Sequence, residues 1–243
     1  MEKTLVLFDV DGTLTESRKE IKQAMIDNLT SLKLITHLDI GIVGGSNLEK
    51  QKEQLGEETL SLFDYVFSEN GLMAFHKDKL FHENSITEFL GEDKVKKLIN
   101  TSLAYMSTID IPVKRGTFVE FRTGMINLCP VGRSCSQQER DHFYAYDLIH
   151  KVREKMVTYL NEELKDLNLT FSIGGQISID VFPTGWDKTY CLQFVKEKYD
   201  RILFFGDRTM KGGNDYEIFN HPLTEAYTVK SPEHTIEILD TLF

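Results

Sequence analysis

Residues 5–15 read LVLFDVDGTLT, an apolar run that stops at two carboxylates, Asp9 and Asp11, one residue apart and directly ahead of a glycine. A continuous apolar stretch of this length suits a strand buried on both faces of a parallel sheet. In such sheets ligands bind beyond the carboxyl ends of the strands. The pair therefore falls where ligand chemistry takes place, although Asp-Gly is also a turn former and either aspartate could simply cap the next helix. Asp9, Asp11 and Glu20 match positions one, three and twelve of a calcium-binding EF-hand loop. The match fails at position six, where Leu14 replaces the required glycine, and at the entering element, which is a strand.

Outward from this stretch, the chain alternates. Ser17 and Glu20 have capping-box spacing, and Ile21, Met25, Leu29 and Leu32 recur at helical intervals, which predicts a helix from about residue 18 to 33. LDIGIVGG, ending at Ser46, and DYVFSENG read as further strands, with the polar NLEKQKEQLG between them as helix. In the middle, GTFVEFRTGMINLCP and LTFSIGGQISIDVFP each show two strand-like arms around a glycine-containing turn, the pattern of antiparallel hairpins. Between them, SQQERDHFYAYDLIHKVREKMVTYLNEEL reads as one helix entered through a capping box at Ser136 and Glu139. WDKTYCLQFVKEK then predicts a helix and RILFFGD a buried strand. The expected fold is α/β: a Rossmann-like parallel-sheet core over residues 1–81 and 187–243, with an inserted α+β domain containing an antiparallel sheet over 82–186.

Composition narrows the function. The 243 residues carry a formal net charge of −10, which argues against nucleic acid or an anionic membrane surface as partner, because both need dominant positive charge. Three cysteines, Cys129, Cys135 and Cys191, lack metal-ligand spacing and point to reduced thiols in a cytoplasmic protein. The N-terminal apolar run is too short for a signal peptide, and no stretch approaches the ~18 apolar residues of a membrane span.

Polar groups cluster where strands of the expected core end or its helices begin: Asp9 with Asp11, Ser46, Lys188, and Asp207 with Asp215. Taken singly, Ser46 reads as a helix cap, Lys188 as a solvated lysine and Asp207 and Asp215 as loop carboxylates. Together, an acidic cluster at one sheet edge repels itself unless a cation is bound, and oxygen ligands favour magnesium. Magnesium held by a few carboxylates usually completes its shell with water and phosphate oxygens, which implies a phosphorylated substrate. A serine hydroxyl and a lysine ammonium nearby would contact the phosphoryl oxygens, and an aspartate would serve as nucleophile.

The set FDVDGT, GGS, DK and GD followed by GGND resembles the four motifs of the haloacid-dehalogenase superfamily of phosphotransferases. Across essentially the whole chain, LFDVDGTLT, YVFSENGL, KRGTFVEFRTGMINLCPVGRSCSQQER, FSIGGQISIDVFPTGWDKTYCL and FFGDRTMKGGNDYEIF resemble the eukaryotic-type phosphomannomutase family. The resemblance implies Asp9 as nucleophile, Asp11 as general acid/base, and Ser46 and Lys188 as the phosphoryl-holding pair. It implies Mg2+ bound by Asp9, the carbonyl of Asp11 and Asp207, with Asn214 and Asp215 supporting. In the inserted cap it implies Arg122, Arg133, Arg140, Ser178 and Asp180 as sugar-phosphate ligands, joined by Arg18 from the core. The implied reaction interconverts mannose 6-phosphate and mannose 1-phosphate through an aspartyl-phosphate and a hexose 1,6-bisphosphate, supplying GDP-mannose synthesis. A homodimer through the cap is implied as well, and Phe118, Phe121, Phe143 and Tyr144 could form its interface or the cap core. The competing readings are a sugar-phosphate phosphatase on the same core and a non-catalytic phosphosugar or cation-binding protein.

Overall fold

The computed structural model describes residues 2–17 and 19–243, and Arg18 lies outside the described residues. The chain divides into two units, Met1–Glu83 with Gly185–Phe243, and Asn84–Thr184. These divisions fall two residues to either side of the expected positions, after residues 83 and 184 rather than 81 and 186. Among the described residues no helix is long and apolar enough to cross a membrane.

The first unit is built on a seven-stranded sheet. In chain order its elements are β1 (Thr4–Phe8), α1 (Gln23–Leu32), β2 (Leu38–Val43), α2 (Leu48–Leu55), α3 (Glu57–Leu60), β3 (Tyr65–Ser68), β4 (Met73–His76) and β5 (Lys79–Glu83). After the second unit follow β10 (Arg201–Gly206), α8 (Tyr216–Phe219), β11 (Glu225–Thr228) and α9 (Pro232–Leu242). The strand order is β11-β10-β1-β2-β3-β4-β5. The first five run parallel, and β4 and β5 add an antiparallel meander at one edge. β1 is buried along Leu5, Val6, Leu7 and Phe8, as its apolar run requires in a sheet covered on both faces. One face packs Val6, Phe8, Ile40, Ile42, Leu203 and Phe205 against Met25, Leu29 and Leu239, and the other packs Leu5, Leu7, Phe67 and Phe204 against Cys191, Leu192 and Ile218. The chain leaves β1 for β2 on one side and returns as β10 on the other, so the topological switch lies between β1 and β10.

The second unit contains α4 (Ile86–Leu90), α5 (Glu92–Thr108), β6 (Val119–Phe121), β7 (Ile126–Leu128), α6 (Gln137–His150), α7 (Val152–Glu163), β8 (Leu169–Gly174) and β9 (Ser178–Pro183). Its four strands form an antiparallel sheet in the order β6-β7-β9-β8. A cluster of Ile111, Cys129, Val131, Cys135, Phe143, Val152 and Ile177 forms apolar core in this unit. Phe143 is core, Phe118 is half-buried, and Phe121 and Tyr144 are exposed.

Three expected elements differ. The first helix starts at Gln23, with Lys22 as an N-cap that makes no side-chain bond, so Ser17 and Glu20 form no capping box. The preceding residues are held elsewhere: Thr13, Leu14 and Thr15 N–H all converge on the carbonyl of Val10, and Lys22 pairs with Glu16 at 2.6 Å. The long helix after Ser136 keeps its capping box but breaks at Lys151, which takes the left-handed conformation with φ 54° between α6 and α7. The helix expected over WDKTYCLQFVKEK is a shorter 3-10 helix over Lys188–Phe194, capped by Asp187.

Candidate active site

β1 delivers Asp9 one residue beyond its last paired position, and the Asp9 amide still donates to Phe205 O on β10 at 2.9 Å. The next turn closes at once, with Gly12 N–H donating to Thr15 O at 2.7 Å. Gly12 has φ +80°, and a Cβ there would overlap the carboxylate of Asp207, so only glycine lets the two loops approach. α9 braces this turn through Thr235 Oγ1, which donates to Thr13 O at 2.8 Å.

Asp207 follows β10, the neighbour of β1, and Asp215 returns from the glycine-rich loop beyond it. The ligand oxygens of Asp9, Asp207 and Asp215 all lie within 4.8 Å of one another. Asp9 and Asp215 are buried and Asp207 is half-buried. Asp215 is fixed by Arg208 N–H, which donates to its Oδ2 at 2.9 Å. Gly206 leaves room for that carboxylate, since a Cβ would come 2.6 Å from Oδ2.

Lys188 is the counter-charge. Only 1% exposed, its ammonium bonds Asp9 Oδ1 and, at 2.5 Å, Asp215 Oδ1. The solvated lysine that residue-type statistics suggest is therefore absent. Asp187 caps the 3-10 helix by accepting from Thr189 N–H at 2.8 Å, and this directs its neighbour Lys188 inward.

Electrostatics follow from one ammonium facing three carboxylates. Burial, with the charges of Asp215 and Asp207 added, pushes the Asp9 carboxyl up to about 7 against the opposing pull of Lys188. Burial and Asp215 also raise Asp207. Lys188 is itself held above the ordinary lysine value, because Asp9 and Asp215 together outweigh its desolvation. An all-oxygen donor set with excess negative charge fits a hard divalent cation, which would offset that charge.

Asp11 extends into the loop, where its Oδ1 accepts from Gln54 Nε2 at 2.8 Å. Ser46 is half-buried in the loop after β2, at the same sheet edge as Asp9, since β1 and β2 are parallel with Phe8 opposite Ile42. It does not cap α2. That role belongs to Asn47, whose Oδ1 accepts from Lys50 N–H at 3.1 Å. The Ser46 loop is instead tied down by Glu69 N–H to Ser46 O at 3.0 Å and Asn70 N–H to Gly44 O at 2.8 Å. Asn214 is exposed beside Asp215.

In the second unit the sheet register sets Glu120, Asn127, Asp180 and Ser172 in one polar row across β6, β7, β9 and β8. Arg133 Nη1 donates to Asn127 Oδ1 at 2.9 Å and Ser178 Oγ at 3.4 Å, while its Nε lies 3.1 Å from Glu120 Oε1. Asn127 Nδ2 donates to Asp180 Oδ1 at 2.6 Å, and Arg122 pairs with the other Glu120 oxygen at 2.5 Å. Arg140 Nη2 donates to Arg133 O at 3.0 Å, which fixes the backbone from which Arg133 extends. Five expected ligand residues are thus brought together.

Sequence reasoning missed Gln54, Glu120 and Asn127. Gln54 left no readable signal, since the two leucines of α2, Leu48 and Leu55, mark a helix face that does not include it. Asn127 left a faint one, as the lone polar residue between Ile126 and Leu128.

The sheet order and its acidic edge define a protein of the haloacid-dehalogenase-like class. The solved structure of a haloacid dehalogenase-like hydrolase from Bacteroides thetaiotaomicron has the same fold, with a TM-score of 0.64, 14% identity and 100% of both chains covered. Sequence comparison is more specific. The family model for eukaryotic phosphomannomutase matches residues 25–243. Phosphomannomutase 2 of Dictyostelium discoideum is 55% identical over 100% of this chain and 97% of its own length. The phosphomannomutase of Dendrobium officinale is 54% identical, over 98% of this chain and 93% of its own. The chain belongs to the eukaryotic phosphomannomutase family.

Proposed function

We propose that this chain is a phosphomannomutase that interconverts mannose 6-phosphate and mannose 1-phosphate, with Asp9 as the phosphoryl carrier. The observation that carries this reading is buried Lys188 bridging Asp9 and Asp215 beside Asp207, in a chain of this family. Asp9 attacks a phosphorus of hexose 1,6-bisphosphate, the bond from phosphorus to the sugar oxygen breaks, and Asp11 gives that oxygen a proton. In the return step the other sugar hydroxyl attacks the phosphorus on Asp9 and its proton passes to Asp11. Lys188 and Ser46 hold the phosphoryl oxygens through the transfer.

Asp9, Asp207 and the Asp11 carbonyl, with Asp215 and Asn214 in support, would hold magnesium, which would supply electrostatic stabilisation of the phosphoryl group. Asp215 also keeps Lys188 aimed at Asp9. Arg122, Arg133, Arg140, Ser178 and Asp180 bind the sugar and the phosphate that is not being transferred, and the fork of Arg133 suits a phosphate. Arg18 completes this set by family resemblance. A homodimer through the second unit is supported by Leu148 and Ile149 on α6, which are 55% and 77% exposed. A cytoplasmic location is supported by three buried, unpaired cysteines. The product would feed GDP-mannose synthesis.

Phosphorus NMR tests the reading directly. With Mg2+ and a catalytic amount of glucose 1,6-bisphosphate, mannose 1-phosphate should convert to mannose 6-phosphate, and Asp9→Asn should abolish the conversion. Release of inorganic phosphate without isomerisation would transfer the function to a phosphatase, and retained turnover in Asp9→Asn would remove Asp9 as carrier.

A further inference from the structure

Helix α2 buries polar residues. Its sequence LEKQKEQL has two leucines, yet its interior positions are Gln51, Gln54 and Leu55, with the glutamines only 1% and 7% exposed. Burying an amide is unfavourable unless its polar atoms find partners. Gln51 finds them at the end of β3, where Oε1 accepts from Ser68 Oγ at 2.6 Å and Nε2 donates to Phe67 O at 3.5 Å. That is a packing role. Gln54 instead reaches the loop that carries the acidic pair.

Two bonds connect Gln54 to this loop. Its Nε2 donates to Asp11 Oδ1 at 2.8 Å, and its backbone carbonyl accepts from Ile21 N–H at 2.9 Å. Asp11 lies beyond the end of β1 and well before α1, in the loop that a bridge between Asp11 and Thr15 closes. We infer that Gln54 is a positioning residue for Asp11, holding that carboxylate in the orientation needed to exchange a proton with the sugar hydroxyl; this rests on the function proposed above.

The step that depends on it is balanced. The hydroxyl oxygen bonds to phosphorus, the bond from phosphorus to the Asp9 oxygen breaks and restores that carboxylate, and the hydroxyl proton moves to Asp11. The reverse transfer returns the proton to the departing sugar oxygen. Because the amide nitrogen engages one Asp11 oxygen, rotation of the carboxylate is restrained without any contact between Gln54 and substrate. A loosely held proton acceptor costs on the order of 10- to 100-fold in rate.

Gln54→Met keeps the length and loses the donor. Two rates are measured on the purified variant: turnover of mannose 1-phosphate, and phosphorylation of Asp9 by acetyl phosphate, whose acetate leaving group needs no proton. Loss of positioning should lower kcat about 10- to 100-fold with KM within about twofold, and leave phosphorylation by acetyl phosphate within about twofold of wild type. A kcat within twofold of wild type, or an equal fall in both rates, overturns the inference. Gln54→Glu, of the same length, sets an acceptor against an acceptor. It should show the same split and answers the question if the methionine variant does not fold; an equal fall in both rates would again overturn it. Wild-type protein that forms no phosphoenzyme and does not isomerise would remove the proposed function itself, a result separate from either variant's behaviour.

Discussion

Asp9 and Lys188 show at the residue scale how burial and neighbouring charge shift ordinary side chains from their usual titration. Without a cation, the Asp9 carboxyl titrates near 7 in the folded chain against 3.8 for an unperturbed aspartate. Between those values the folded state holds a proton that the unfolded state has released, so this group lowers stability as pH rises from about 4 to 7. A divalent cation bound as proposed would compete for the same oxygens and displace that proton. The gain in melting temperature from Mg2+ over EDTA should therefore be larger at pH 8 than at pH 5, and an equal gain at both would remove Asp9 from the cation site. Asp9 and Asp207 were legible in the sequence because each stands in a short motif at the end of an apolar run, and Asp215 because it closes the glycine-rich GGND that follows. The burial of Lys188 was not, because it depends on β10 lying beside β1, a long-range pairing that no local pattern encodes. Gln54 was missed for the opposite reason: a glutamine in a polar helix reads as surface until the helix is packed.

Between elements, the junction of α6 and α7 carries the most information. Asp147 belongs to α6, yet its Oδ1 accepts from the backbone N–H of Arg153 at 2.9 Å and so satisfies an open amide near the start of α7. The Arg153 side chain answers with Nε to Asp147 Oδ2 at 2.7 Å, and its Nη1 donates to Gly175 O at 3.0 Å and Ser178 O at 3.3 Å. One buried guanidinium thus ties two helices to the β8–β9 turn and sets the backbone from which Ser178 projects. This network explains the break at Lys151, for the stretch DLIHKVR has no glycine or proline to announce one. The capping box at Ser136 and Glu139 was legible because its information is local. Arg153→Met leaves Asp147 buried and without its cation, which costs on the order of 3–5 kcal/mol when one partner of a buried pair is removed. Urea unfolding measures this, and a loss below about 1 kcal/mol would show that the pair is not a determinant of the junction.

Across the whole molecule, the two units have separate sheets and separate apolar clusters. Among the described residues every strand of the seven-stranded sheet lies within residues 4–83 or 201–228, and every strand of the four-stranded sheet within 119–183. The clusters around Phe8 and Phe204 belong to the first unit, and the cluster around Phe143 belongs to the second. The inserted unit is one continuous stretch of chain near the usual size of an independent domain, about 100 residues. It should therefore fold when residues 84–184 are expressed alone, giving dispersed amide resonances and a cooperative urea transition. The acidic cluster lies wholly in the other unit, so in the intact chain Mg2+ should slow amide exchange in β1, β10 and the loops after them. Residues 84–184 should show no comparable slowing. A fragment without cooperative unfolding would show that the insert depends on the first unit for its stability. Equal protection of both units by Mg2+ would show that cation binding is coupled to the whole chain, and the separation of cores would then not be a separation of stabilities.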